Sequence, residues 1–223
     1  MARQGMEHEL EVLPDAASLT TRGATVVAGL ARMAVAGTGT FNFAVSGGRT
    51  PWAMFAELAH EDMPWEQTVI FQVDERVAPD GDPDRNLTNL QKALGPAPAR
   101  VVAMPVNEPD LDVASGAYAA LLPAQFDLVH LGLGPDGHTA SLVPGDPVLA
   151  VTDGLVAVTR PYQGHRRMTL TYPGLARAKQ LVWLVSGEDK REALAKLLAG
   201  DASIPAGRVV AARSTILADK AAT

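Results

Sequence analysis

In Gly132-Leu-Gly-Pro-Asp-Gly-His-Thr-Ala-Ser141 a carboxylate and an imidazole stand among three glycines directly after an apolar run. Histidine is the side chain whose unperturbed pKa suits proton transfer near neutral pH, and Asp136, two residues before His138, can orient it as a general base. The plainer alternative is a turn histidine bonded to backbone. His8, His60, His130 and His165 have no comparable glycine-rich setting. Asp136 and His138 are only two candidate metal ligands, with no further His or Glu at ligand spacing, so no metal is expected. A serine nucleophile is poorly supported, because no Gly-x-Ser-x-Gly elbow exists and Ser141 has no obvious placement for one.

Two other segments can answer that base. Ser46-Gly-Gly-Arg-Thr50 precedes a predicted helix, where glycines let backbone amides approach an anion and the helix start adds a positive dipole end. It matches neither the Gly-Lys-Ser/Thr phosphate loop nor the dinucleotide Gly-x-Gly-x-x-Gly pattern, so a nucleotide cofactor is not supported. In Asp74-Glu75-Arg76, Asp74 and Arg76 point the same way by strand periodicity and can orient polar groups of a ligand. Arg166, Arg167 and Lys190 can close on a phosphate, an Arg by bidentate contact and a Lys as a point charge. Taken singly, each of these is an ordinary tight turn, ion pair or surface charge.

These segments need elements to hold them. Strands are predicted at Glu9–Leu13 (an edge strand), Phe41–Val45, Thr68–Val73, Arg100–Met104, Phe126–Leu131, Gly154–Thr159, Arg167–Thr171, Gln180–Val185 and Arg208–Ala211. Helices are predicted from Asp15 to Ala36, with Leu19, Val26, Val27, Leu30 and Met33 inward, and from a Thr50 cap with Pro51 in the first turn to His60. Further helices cover Leu87–Leu94, Leu111–Leu122 and Glu188–Ala199, while Ala78–Asn86 reads as an exposed loop. Alternating strands and helices with no dividing linker indicate one α/β domain over residues 1–223, a Rossmann-like three-layer αβα sandwich around a mostly parallel sheet. Ligands of such sheets lie outside the carboxyl ends of the strands, which is where Ser46, Asp74 and Gly132 fall.

Hydrophobic residues are 47% and charged residues 20% of 223, an ordinary globular composition. A net charge of −6 without a basic run argues against a nucleic-acid partner. Without cysteine there are no disulfides, thiolate nucleophiles or cysteine metal sites. The acidic opening Met1–Leu10 does not read as a signal peptide and no apolar run reaches membrane-spanning length, so a cytoplasmic protein without a membrane partner is expected, monomeric or a small homo-oligomer.

Five motifs in order resemble the 6-phosphogluconolactonase family: Ser46–Pro51, Val73–Val77 with Asp82–Asn86, Gly132–Ser141, Arg167–Thr171 and Ser186–Lys190. The resemblance spans residues 41 to 200, and its most specific piece is Gly-Pro-Asp-Gly-His-Thr-Ala-Ser. It implies the α/β fold shared with glucosamine-6-phosphate deaminases and hydrolysis of 6-phosphoglucono-δ-lactone in the pentose phosphate pathway, with no cofactor. By that resemblance Ser46, Gly47, Gly48, Arg49, Thr50, Arg167 and Lys190 would hold the 6-phosphate. His138 would activate a water, with Asp74, Arg76 and Asp136 shaping the ring site and stabilising charge. The deaminase motif has a Glu five residues after its His, where this chain has Val143, which favours the lactonase. A non-catalytic sugar-phosphate sensor is a third reading. Arg49 is an extra charge in the phosphate loop, and nothing is transferred to the tail from Ala211 to Thr223.

Overall fold

β-Branched and aromatic residues cluster in the stretches that become strands, as pleated, buried surfaces favour. A computed structural model describes residues 7–223; residues 1–6, part of the acidic opening, lie outside the described residues. The strands are β1 (Glu9–Leu13), β2 (Phe41–Val45), β3 (Thr68–Gln72), β4 (Asp74–Arg76), β5 (Arg100–Val102), β6 (Leu128–Gly132), β7 (Val156–Val158), β8 (Arg167–Leu170), β9 (Gln180–Val185) and β10 (Arg213–Asp219). The helices are α1 (Ala16–Thr38), α2 (Arg49–Leu58), α3 (Asn86–Leu94), α4 (Leu111–Leu121), α5 (Tyr172–Leu175) and α6 (Arg191–Leu198).

Seven strands form one sheet in the order β1-β10-β9-β6-β2-β3-β5, every neighbouring pair parallel. Side chains alternate between two cores. Phe43, Leu128 and Val182 meet α1, α2 and α3 on one face, while Val129, Leu131 and Trp183 meet α4 and α6 on the other. The expected three-layer α/β architecture is therefore present, with β1 at the expected edge. After β2 the chain builds β3 and β5 to one side, then returns to lay β6, β9 and β10 on the other. The switch point between β2 and β6 is where such sheets open a crevice at their carboxyl ends.

Four expectations are corrected. Asp74–Arg76 does not continue β3. It leaves the sheet and pairs antiparallel with β8, which pairs with β7, in a second sheet of order β4-β8-β7. The predicted last strand at 208–211 follows a 3-10 turn at Ala206–Arg208, and the true last strand, β10, lies further on, between β1 and β9. Helix α1 is capped by Asp15 and stopped by Gly39 at φ 81°, but Met33 is 68% exposed. Its buried face is Leu19, Ala24, Val27, Ala28 and Ala31, small residues that let α2 approach so closely that a Cβ at Gly23 would stand 3.0 Å from Met54 Sδ. Finally, Arg85 and Asn86, at the end of the supposedly solvated loop, are buried. Among the described residues no helix is long and apolar enough to cross a membrane.

Candidate active site

Three neighbouring strands, β2, β6 and β9, deliver the loops of one cleft. At the end of β2, a Cβ on Gly47 would collide with the side chains of Asn86 and Trp52, so only glycine permits this packing. Gly48, at φ 133°, is the N-cap of α2 and leaves the first turn without a side-chain cap. The expected Thr50 cap is thus displaced by two residues, and Pro51 lies in the third helical position. Ser46 Oγ is buried and has no hydrogen-bond partner, and it lines the cleft beside Gly47 and Gly48. Arg49 is exposed and Thr50 half-buried; neither side chain lines the cleft, although both residues open the helix at its edge.

At the end of β6, Gly134 leaves no space for a Cβ because the His138 imidazole occupies it. His138 Nδ1 lies 2.5 Å from Asp136 Oδ1, which also accepts the His138 amide at 3.1 Å. Burial pushes the Asp136 carboxyl up, but the His138 amide and imidazole outweigh it and hold the group below the usual carboxylate range. An ionised Asp136 fixes the proton on Nδ1, leaving the lone pair on Nε2. Ala140, also on the cleft wall, has φ 52°, a backbone state that costs a non-glycine residue energy and that here closely follows His138.

The small sheet supplies the charged wall. Asp74 and Arg76 face the cleft together, as strand periodicity requires. Asp74 is buried, and burial raises its carboxyl above the usual range despite a 2.6 Å hydrogen bond from Ser141 Oγ and the nearby Arg167 and Arg76. Arg76 is registered against Arg167 across β4 and β8. Two guanidinium groups side by side are the arrangement an anion would relieve. Arg76 is held from behind by Asp84 O at 2.5 Å and Asn86 Oδ1 at 3.2 Å. Arg167 is 5% exposed, its Nε has no partner, and burial first and Arg76 second lower its pKa.

Glu75 points the other way and is fully buried. It accepts the amides of Arg76, Asn86 and Leu87 and the Gln72 amide nitrogen, and pairs with Arg85 Nε at 3.1 Å. It therefore caps α3 from β4 and fixes Asn86 between Gly47 and Asp74. After β9, Lys190 reaches the cleft and pairs with Asp189 at 2.9 Å. Its loop is anchored by Asp219 of β10, which accepts from Ser186 Oγ at 2.5 Å and the Gly187 amide at 3.1 Å.

The structure therefore brings together Ser46, Gly47, Gly48, Asp74, Arg76, His138, Arg167 and Lys190, with Asp136 behind His138, around a cavity of about 210 Å³. That volume is below the roughly 300–1,000 Å³ of sites for drug-sized ligands and suits a small polar molecule. Gln163 and Asn86 also line the cavity, while Ser141 and Asp219 stand behind it, on Asp74 and on the Ser186-Gly187 turn; none of the four is among the expected site residues. Asn86 lay within a recognised motif, and Asp219 followed a short apolar run, but nothing local marked either as a neighbour of the cleft.

Residues 14–218 match the family model for glucosamine-6-phosphate isomerases/6-phosphogluconolactonase. The chain belongs to this family. A 6-phosphogluconolactonase of Nostoc sp. is 33% identical over 212 residues, covering 88% of each chain. The GDH/6PGL endoplasmic bifunctional protein of Oryctolagus cuniculus is 39% identical over 191 residues, 78% of this chain but only 24% of that protein's length. A solved 6-phosphogluconolactonase of Thermotoga maritima has a TM-score of 0.87 at 26% identity, covering 96% of this chain and 100% of that one. The family holds two kinds of sugar-phosphate chemistry, so the cleft's own residues must separate them.

Proposed function

We propose that the chain hydrolyses 6-phospho-D-glucono-1,5-lactone to 6-phosphogluconate, the lactone step of the oxidative pentose phosphate pathway. The observation that carries this is the Asp136–His138 pair facing the same cleft as two unpartnered anion-binding groups, Ser46 Oγ and Arg167 Nε. Ser46, the first turn of α2, Arg167 and Lys190 receive the 6-phosphate, with Arg49 adding charge at the rim. His138 Nε2 removes a proton from water as its oxygen attacks the lactone carbonyl carbon. Asp136 stabilises the imidazolium, and Arg76 with Asp74 faces the charge that develops on the ring. The carbon to ring-oxygen bond then breaks, and the imidazolium returns its proton to that oxygen. The open chain leaves as a hydroxy acid that ionises.

The deaminase reading needs a carboxylate five residues after the histidine. Val143 is half-buried, aliphatic and absent from the cleft wall, and cannot do acid–base work. The deciding assay follows acid release from freshly prepared 6-phosphogluconolactone, with glucosamine 6-phosphate as the parallel substrate. Accelerated acid release with no ammonia from the amino sugar is expected. Ammonia release instead would establish the deaminase, and binding of 6-phosphogluconate without turnover of either substrate would establish a sensor.

A further inference from the structure

The segment between β7 and β8 ends in a hairpin tip. Tyr162 and His165 exchange backbone hydrogen bonds of 2.9 and 3.3 Å across Gln163 at φ 50° and Gly164 at φ 87°. Two successive positive φ values define a type I′ turn, whose first central position favours Asn, Asp or Gly. Glutamine lacks the short side chain that makes the left-handed conformation tolerable, so Gln163 is strained there. The tip is tied down at three points. The Tyr162 ring stands edge-on to His138 at 5.7 Å, the Arg167 guanidinium lies over the same ring at 5.2 Å, and His165 Nε2 meets Asp84 at 3.2 Å.

Gln163 is itself part of the cleft wall. Its Oε1 accepts from Arg167 Nη2 at 3.5 Å and its Nε2 lies 3.4 Å from the Tyr162 hydroxyl. Asparagine would suit the turn but is one methylene shorter, and at these distances it would not reach Arg167. Resting on the lactonase reading above, we propose that Gln163 is a positioning residue that holds the Arg167 guanidinium at the cleft edge and so completes the grip on the phosphate. The turn thus carries local strain in exchange for ligand affinity, a pattern that recurs at binding sites.

Gln163→Asn tests both halves at once. Its Tm should rise by a few degrees, while the Kd for 6-phosphogluconate measured by calorimetry and the KM for the lactone both weaken five- to tenfold, with kcat within twofold of the parent. Gln163→Glu keeps the length but pairs with Arg167 and repels phosphate, so its affinity should fall at least tenfold further. Unchanged affinity in the Asn variant would overturn the proposal, as would a Tm below the parent. A parent chain that binds 6-phosphogluconate without hydrolysing the lactone would remove the catalytic reading and leave the Gln163 comparison intact. Binding of neither ligand would overturn both.

Discussion

Replacing His130 should change how the protein responds to acid. The residue sits mid-way along β6, the strand that leads into the Gly132–Ser141 loop, and is fully buried with neither ring nitrogen hydrogen-bonded. Its ring meets Phe55 edge-on at 5.7 Å in the apolar face beneath α2. Burial lowers its pKa from 6.5 to about 3. The unfolded chain therefore takes up a proton below pH 6.5 that the folded chain refuses, and stability falls as the pH drops through that window. At about 1.4 kcal/mol per pH unit, the folded state should lose about 3 kcal/mol by pH 4.5 and about 4 kcal/mol by pH 3, where the buried ring itself begins to take up the proton. His130→Leu removes the titrating group and two unsatisfied polar atoms at similar volume, so at pH 7 its stability should lie within about 1 kcal/mol of the parent. Urea unfolding of both proteins at pH 7 and pH 4.5 isolates the residue, because the carboxylates titrate alike in each and cancel in the difference. Asp74, whose raised pKa gives the opposite sign by stabilising the fold as it protonates, cancels in the same way. The variant's advantage should grow by about 3 kcal/mol between the two pH values; an advantage that stays constant would refute the reasoning.

The remaining predictions concern the cleft. His138→Ala should abolish lactone hydrolysis while leaving 6-phosphogluconate binding within about tenfold, since a general base contributes about 10²–10⁴ in rate and little to ground-state affinity; retained activity would remove His138 as the base. Arg167→Ala should mainly raise KM, and Arg167→Lys should not restore it, because a lysine cannot give the bidentate contact; calorimetry with 6-phosphogluconate checks both. Asp219→Ala frees the Ser186-Gly187 turn and should raise KM severalfold with kcat nearly unchanged, whereas a fall in kcat alone would show that the turn serves the reacting centre instead.

What could be read in the sequence was whatever is local. Gly132–Ser141 announces a strand end, a turn and a histidine beside a carboxylate within ten residues, and Asp74 and Arg76 share a face because strand periodicity operates over two residues. The residues that carry no local signal depend on contacts between distant segments. Asp219 acts on the Ser186 turn 33 residues earlier, and only the placement of β10 beside β9 brings them together. Asn86 reads as the end of an acidic loop until Glu75 is seen to cap its helix from another strand. The Thr50-Pro51 pair carries a genuine start signal, yet Gly48 takes the cap because its extended, positive-φ backbone lets the chain turn directly off β2. Met33 matches the helical stripe in type, but the close approach of α2 favours alanines on that face.

The two sheets divide the chemistry in a way that follows from their geometry. Parallel strands end in loops whose backbone amides and helix starts point at one crevice, so the loops after β2, β6 and β9 bring Ser46, His138 and Lys190 to one cleft. They cannot by themselves set two arginines side by side. The antiparallel pairing of β4 with β8 does this by registering Arg76 opposite Arg167, and the hairpin that joins β7 to β8 adds Tyr162 against both Arg167 and His138. His138 and Arg167 are therefore joined through one aromatic ring. A ligand that lacks the phosphate leaves Arg167, which lies over the Tyr162 ring, without the anion proposed for it. Discrimination for a phosphorylated lactone should then appear in the positioning of His138 as well as in affinity.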